Sequence, residues 1–167
     1  MQRFVLVGQQ GVGKSSIFSR LSPQATSLTK LGSSQTIPIP PALFSVVTLD
    51  FPSPNFTLST PLENLPQVFS IADAIIFVMI DPEDPNLKDL LTLLTRYNLQ
   101  QRRYVLFHQV DKIDKDQQEE LFKKAIANAE SNGIPAENCF ETSLFDGSIN
   151  RTIPKIVASL MPHFAEL

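Results

Sequence analysis

Apolar positions along the chain fall into short runs separated by polar stretches, several of which carry a helical stripe. Residues 3–8 (RFVLVG) are a short apolar strand, a glycine-rich turn follows, and GKSSIFSRL opens a helix. Residues 22–42 are rich in Ser, Thr, Pro and Gln and have no helical period, so they are expected to be a long exposed loop. At most a short edge strand fits there, because Pro38, Pro40 and Pro41 forbid a central one. Residues 43–51 (LFSVVTLDF) are a strand, and 52–62, with three prolines, a second loop. A helix is expected over 63–72. The continuous apolar run 74–80 (AIIFVMI) fits a strand covered on both faces. Leu87, Leu90, Leu91, Leu93 and Leu94 make a helical stripe within 86–99, and 103–110 (RYVLFHQV) is a strand. Residues 115–131 form a charged amphipathic helix with Leu121, Phe122, Ala125 and Ile126 inward, ending at Asn132-Gly133. A short strand over 138–143 and a last helix over 149–162 complete the series. Strand and helix alternate throughout, which predicts an α/β fold: a mostly parallel central sheet with helices on both faces.

Composition narrows the possibilities. The chain has 167 residues, which suits one domain over 1–167. A net charge of −3 leaves no basic footprint for nucleic acid. A lone cysteine, Cys139, excludes an internal disulfide framework, and His108 and His163 are too far apart in sequence to suggest a structural metal site. No apolar run approaches a membrane span and no secretory signal opens the chain, so a soluble intracellular domain is expected.

Residues 8–15 read Gly8-Gln9-Gln10-Gly11-Val12-Gly13-Lys14-Ser15, a G-x-x-x-x-G-K-[ST] phosphate loop between a strand and a helix start. Gly8 and Gly13 are expected to adopt turns closed to a β-carbon and to let phosphates approach the backbone. Successive N–H groups at Gln10, Gly11, Val12, Gly13 and Ser16 then face an anion, aided by the helix dipole. Lys14 supplies an ammonium to the β- and γ-phosphates. Ser15 offers a hydroxyl to Mg²⁺, which needs few protein ligands.

The base is read elsewhere. His108-Gln109-Val110-Asp111 ends a strand and resembles the Asn-Lys-x-Asp of most GTPases, so the Asp111 carboxylate is expected to accept two hydrogen bonds from guanine N1–H and the 2-amino group, with an ordinary strand-end Asp as the alternative. Adenine lacks that donor pair, so such a site rejects it. Thr142-Ser143-Leu144 follow the next strand, where backbone N–H groups of Ser143 and Leu144 can meet guanine O6. His108 is expected to brace the phosphate loop. Asp81, Glu83 and Asp84 read as a solvated acidic loop rather than a second cation site. Cys139 reads as a small buried hydrophobe. Phe44, Phe51 and Phe56 divide between core packing and a partner-docking set.

The order GQQGVGKSS, DFPSP, AIIFVMIDPEDP, FHQVDKID, ETSLFDGSI and IPKIVASLMPHF resembles the Rag GTPases, more the C/D type than the A/B type, over essentially the whole chain. The resemblance implies a P-loop GTPase fold, GTP/GDP and Mg²⁺ as ligands, and a switch that signals amino-acid status to the TOR kinase. It also implies a heterodimer with an A/B-type Rag GTPase, and recruitment from the cytoplasm to a lysosomal or vacuolar scaffold. Family members continue into a roadblock-type C-terminal domain, and the resemblance stops about where that domain would begin. Ser15, Ser34 and Asp50 are the metal ligands it implies, with Thr36 the alternative to Ser34.

Three departures shape the expectation. Switch II normally reads Asp-x-x-Gly and then a water-orienting Gln; here Asp50-Phe51-Pro52-Ser53-Pro54 puts Ser53 and Pro54 in those places. Slow hydrolysis is therefore expected. The switch I Thr has no plain match: Ser34 falls where it is expected, with Thr36 the alternative. Gln109 replaces the Lys that packs along the base, which is expected to weaken base affinity. Two other readings stay open on sequence: a pseudo-GTPase scaffold, and an ATP-using P-loop enzyme, for which no arginine-rich lid segment is present.

Overall fold

The computed structural model describes residues 2–21, 34–39, 42–52, 58–65, 67–145, 147–149, 151–152 and 155–156. In chain order the elements are β1 (Gln2–Gly8), α1 (Lys14–Leu21), β2 (Ser34–Ile39), β3 (Ala42–Asp50), α2 (Gln67–Ile71), β4 (Ala74–Met79), α3 (Asn86–Arg96), β5 (Arg102–His108), α4 (Lys115–Ser131) and β6 (Cys139–Thr142). Residues 148–149, 151–152 and 155–156 are also helical. The strands form one sheet in the order β2-β3-β1-β4-β5-β6. Five run parallel, and β2 pairs antiparallel with β3 at the edge.

The period of two along each strand sends alternate side chains to opposite faces. Val5 and Val7 of β1 join Phe77, Leu90, Leu94, Phe107, Ala125 and Ala129 in one core cluster, under α3 and α4. Phe4 and Leu6 join Ile17, Phe18, Ile76, Leu106 and Ile156 in the other, under α1 and the last helical residues. All six residues of β4 are buried, as its unbroken apolar run requires. On α4 the expected inward set is graded: Ala125 is fully buried, while Leu121, Phe122 and Ile126 pack at the rim. The Phe122 ring stacks on Phe107, with 6.4 Å between centroids.

One edge strand meets the sequence reading and two helix boundaries differ from it. The short edge strand allowed within 22–42 is present: Ser34–Ile39 pairs with Ala42–Val47, and Pro38 is tolerated because β2 is an edge. The helix expected over 63–72 is a 3₁₀ turn at Leu62–Asn64 followed by α2. Pro66, with no amide hydrogen to donate, falls between them in sequence. The helix expected over 86–99 stops at Arg96, because Asn98 takes φ +56 and Leu99 N–H closes on Leu94 O at 2.9 Å. Asparagine tolerates that left-handed turn better than most residues. Among the described residues no helix is long and apolar enough to cross a membrane.

Parallel strands bring their C-terminal ends to one rim of the sheet. Gly8 lies opposite Asp50, and His108 opposite Thr142. The residues singled out from the sequence for phosphate, metal or base lie on this rim, in a loop leaving it or in the first turn of α1, apart from Ser34 and Thr36 in the edge strand.

Candidate functional site

The phosphate loop leaves β1 at Gly8 and enters α1 at Lys14. Gly8 needs to be glycine for a different reason from the one expected. It is ordinary strand backbone, but a β-carbon there would lie 2.3 Å from the Val78 carbonyl oxygen. The left-handed positions are Gly11 at φ +87 and Gly13 at φ +105. Val12 is buried in the core, so only its backbone is available to a ligand. Gln10, Ser15 and Ser16 are exposed.

Lys14 is 5% exposed. Its ammonium donates to Gly8 O at 2.8 Å and Gln9 O at 2.6 Å, and meets Asp50 Oδ1 at 2.9 Å. Burial holds its pKa below the usual lysine range, and the hydrogen bond and charge of Asp50 oppose that shift. The loop thus concentrates one cation, with the Asp50 carboxylate at its side.

Ser15 and Asp50 offer a hydroxyl and a carboxylate, hard oxygen donors of the kind Mg²⁺ prefers. Asp50 is partly exposed, which leaves it reachable by a hydrated cation. Among the described residues no group of three or more His, Cys, Asp and Glu could hold a metal. A Mg²⁺ that keeps most of its waters needs no such group, so the donor set fits. Ser34 opens β2 opposite Val47, three positions before Asp50 along β3, and Thr36 lies opposite Ser45.

The base-side residues meet at the ends of β5 and β6. His108 is buried, and its Nδ1 is 2.7 Å from Thr142 Oγ1. The other edge of the ring faces the phosphate loop: a β-carbon on Gly13 would lie 2.9 Å from His108 Cδ2 and 3.2 Å from Nε2. Gln109 turns left-handed at φ +62, and its amide donates to Val12 O at 3.0 Å. The side chain expected merely to lose packing against a base therefore ties the strand end to the phosphate loop. The Asp111 carboxylate accepts a 2.7 Å hydrogen bond from the hydroxyl of Ser143, which is fully buried. Ser143 N–H donates to Ser148 Oγ at 2.7 Å. A cavity of about 230 Å³ opens here, lined by Gly13, Ser16, His108, Gln109, Asp111, Lys112, Leu144 and Phe145. It runs from the phosphate loop to the candidate base reader.

The sequence reading missed the role of Thr142, and Ser148, Lys112 and Phe145 altogether. The first two act at one remove, through His108 and Ser143, and only the pairing of β5 with β6 reveals them. It also misplaced Asp84. The acidic loop is solvated at Asp81 and Glu83, but Asp84 is buried and accepts the Asn86 N–H at 2.9 Å, closing the first turn of α3. The same oxygen, Asp84 Oδ1, accepts from Gln9 Nε2 at 3.4 Å. Burial raises the Asp84 pKa. Of the three phenylalanines, Phe51 is core; Phe56 and the switch II residues Ser53, Pro54 and Asn55 lie outside the described residues.

Comparison with known proteins agrees with this geometry. The family model for the Gtr1/RagA G protein conserved region matches residues 3–167. GTP-binding protein GTR1 of Saccharomyces cerevisiae is 29% identical over 108 residues, covering 59% of this chain and 35% of that protein. The chain thus spans about a third of the length of that curated relative. Among solved structures, a probable GTP-binding protein engB superposes with a TM-score of 0.65 at 16% identity, covering 96% of this chain and 99% of that one. A GTP-binding protein of Sulfolobus solfataricus in complex with GDP gives 0.66 at 16% identity, covering 98% and 53%. Translation elongation factor SelB of Methanococcus maripaludis, with a GTP analogue, gives 0.67 at 11% identity, covering 96% and 34%. These structures share the P-loop GTPase fold. The sheet order, the phosphate loop and the family match over nearly every residue lead to one conclusion: the chain belongs to the Gtr1/RagA family of Rag GTPases and carries its GTP-binding G domain.

Proposed function

We propose that this G domain is a Rag-type switch of the C/D kind, selective for guanine nucleotides and slow to hydrolyse GTP. The observation that carries the selectivity is the Asp111 carboxylate, fixed by the Ser143 hydroxyl on a cavity that begins at Gly13 of the phosphate loop. Guanine satisfies that carboxylate with two donors. Adenine leaves it facing a ring C–H and costs a hydrogen-bonded partner in a partly buried place.

Each side chain has a task in this reading. Backbone N–H groups from Gln10 to Ser16 hold the phosphates, and Lys14 neutralises their charge. Ser15 and Asp50, with Ser34 in the GTP state, would hold Mg²⁺, which would offset phosphate charge. His108 and Gln109 keep the phosphate loop in register with the base site. Pro54 offers no amide to orient a water. The Rag resemblance supports the wider role: amino-acid signalling to the TOR kinase on a lysosomal or vacuolar surface, beside an A/B-type Rag GTPase.

A competition series tests the nucleotide reading. GDP and GTP should displace labelled GDP at least a hundredfold more effectively than ADP and ATP. Asp111→Ala should erase most of that preference. Equal competition by ADP and GDP would overturn it in favour of an ATP-using protein, and no GDP binding at all would leave a pseudo-GTPase scaffold.

A further inference from the structure

Phe145 is 85% exposed, the most exposed of the large apolar side chains among the described residues. A single exposed apolar residue is ordinary on a protein surface and by itself needs no explanation. Two further facts set this one apart. It lines the 230 Å³ cavity together with Gln109, Asp111 and Lys112, and it follows β6 where they follow β5. Its backbone is also held by the group that holds the base reader. The Phe145 N–H donates to Ser143 Oγ at 3.1 Å, and that same hydroxyl donates to Asp111 Oδ1 at 2.7 Å.

We infer that Phe145 is a stacking platform for the nucleobase. This rests on the guanine reading above and adds to it a source of affinity separate from Asp111. Gln109, bonded to Val12 O, has its amide committed to the phosphate loop and no long apolar stem to lay along a base. An aromatic ring lining the same cavity supplies that cover. Stacking a base on an aromatic ring contributes a factor of roughly 5 to 150 in affinity and tolerates any base, because every base has a π-face. Asp111 selects the base, and Phe145 strengthens its hold whatever the base is. The chain contains no tryptophan, so Phe145→Trp places a single indole reporter at the site.

The experiment measures GDP and inosine diphosphate affinities for the parent chain, Phe145→Ala, Phe145→Trp and Asp111→Ala, with the unfolding midpoint of each variant. Inosine diphosphate lacks the 2-amino group that Asp111 reads. Phe145→Ala should weaken both nucleotides at least about fivefold, leave their ratio unchanged and leave the unfolding midpoint of the nucleotide-free protein unchanged. Phe145→Trp should restore affinity, and GDP should quench its emission. Asp111→Ala should instead collapse the ratio. The inference is overturned if the parent binds GDP and Phe145→Ala binds it within twofold as tightly. It also fails if the indole emission does not respond to saturating GDP, or if Phe145→Ala collapses the ratio as Asp111→Ala does. A parent that binds no GDP removes the guanine reading first and the stacking role with it.

Discussion

Gly11 and Gly13 are both left-handed, but they stand in different surroundings, and that difference isolates what His108 does. A β-carbon on Gly11 would meet nothing within 4 Å. Gly11→Ala should therefore cost only backbone strain, about 1–2 kcal/mol. A β-carbon on Gly13 would lie 2.9 Å from His108 Cδ2, closer than such contacts occur, and 3.4 Å from the Gln109 amide nitrogen. His108 cannot easily retreat, since it is 1% exposed and bonded to Thr142. Overpacking of that kind adds about 1–3 kcal/mol, for a total of about 2–5 kcal/mol. A domain stable by about 5–15 kcal/mol survives this. In urea unfolding at constant slope, the Gly13→Ala midpoint should fall about 1 M below that of Gly11→Ala. Gly133→Ala, at φ +84 with open space and far from the site, should match Gly11→Ala in stability and the parent in GDP affinity. Adding His108→Ala to Gly13→Ala should recover part of the loss, a coupling that a double-mutant cycle reads directly. Equal midpoints for Gly11→Ala and Gly13→Ala would refute the claim that His108 packs against the phosphate loop.

Three further outcomes are expected. Lys14→Ala should lose nearly all GDP binding with little change in the unfolding midpoint, because its partner Asp50 is 43% exposed and can be solvated once the ammonium is gone; equilibrium binding and urea unfolding of the same sample check this. Cys139 has its thiol pKa raised by burial, and further by Glu130, from 9.0 to about 11. Because the folded pKa is the higher one, its stabilising share is complete below pH 9 and is lost as pH rises through 11; the parent's advantage over Cys139→Ala should shrink by about 2–3 kcal/mol over that window. GTP hydrolysis by this chain in single turnover at saturating Mg²⁺ should run at or below roughly 10⁻⁴ per second, the scale of an unassisted site, and a rate near one per minute would show that a residue other than a switch II glutamine positions the water.

The parts legible in the sequence are those where chemistry and periodicity coincide over a few neighbouring residues. The phosphate loop is contiguous, so Gly8 to Ser15 could be read as a unit. The α/β alternation followed from runs such as 74–79 and stripes such as Leu87 to Leu94, each a local pattern with one physical solution. The hairpin at Ser34–Asp50 was half hidden because Pro38 and the polar residues before it suppress the strand signal. They are tolerated only where one side of the strand is unpaired, and edge position belongs to the topology. Asp84 was misread for a similar reason. Its charge looks solvated beside Asp81 and Glu83, until α3 places the Asn86 amide against it.

The supports of the site were illegible for a reason of distance along the chain. Gln109 and Val12 are 97 residues apart, and Asp111 and Ser143 are 32 apart. Nothing in either partner's neighbourhood encodes the other. The order β1-β4-β5-β6 brings them to one rim, and only then does one hydroxyl serve both Asp111 and Phe145. Replacement of a long cationic side chain by Gln109 reads in isolation as a lost contact. In the folded chain the amide holds the phosphate loop, and an aromatic ring lines the same cavity. A substitution at one wall of a site is thus interpretable only together with the other wall, and the two are adjacent in space through strands that the sequence separates.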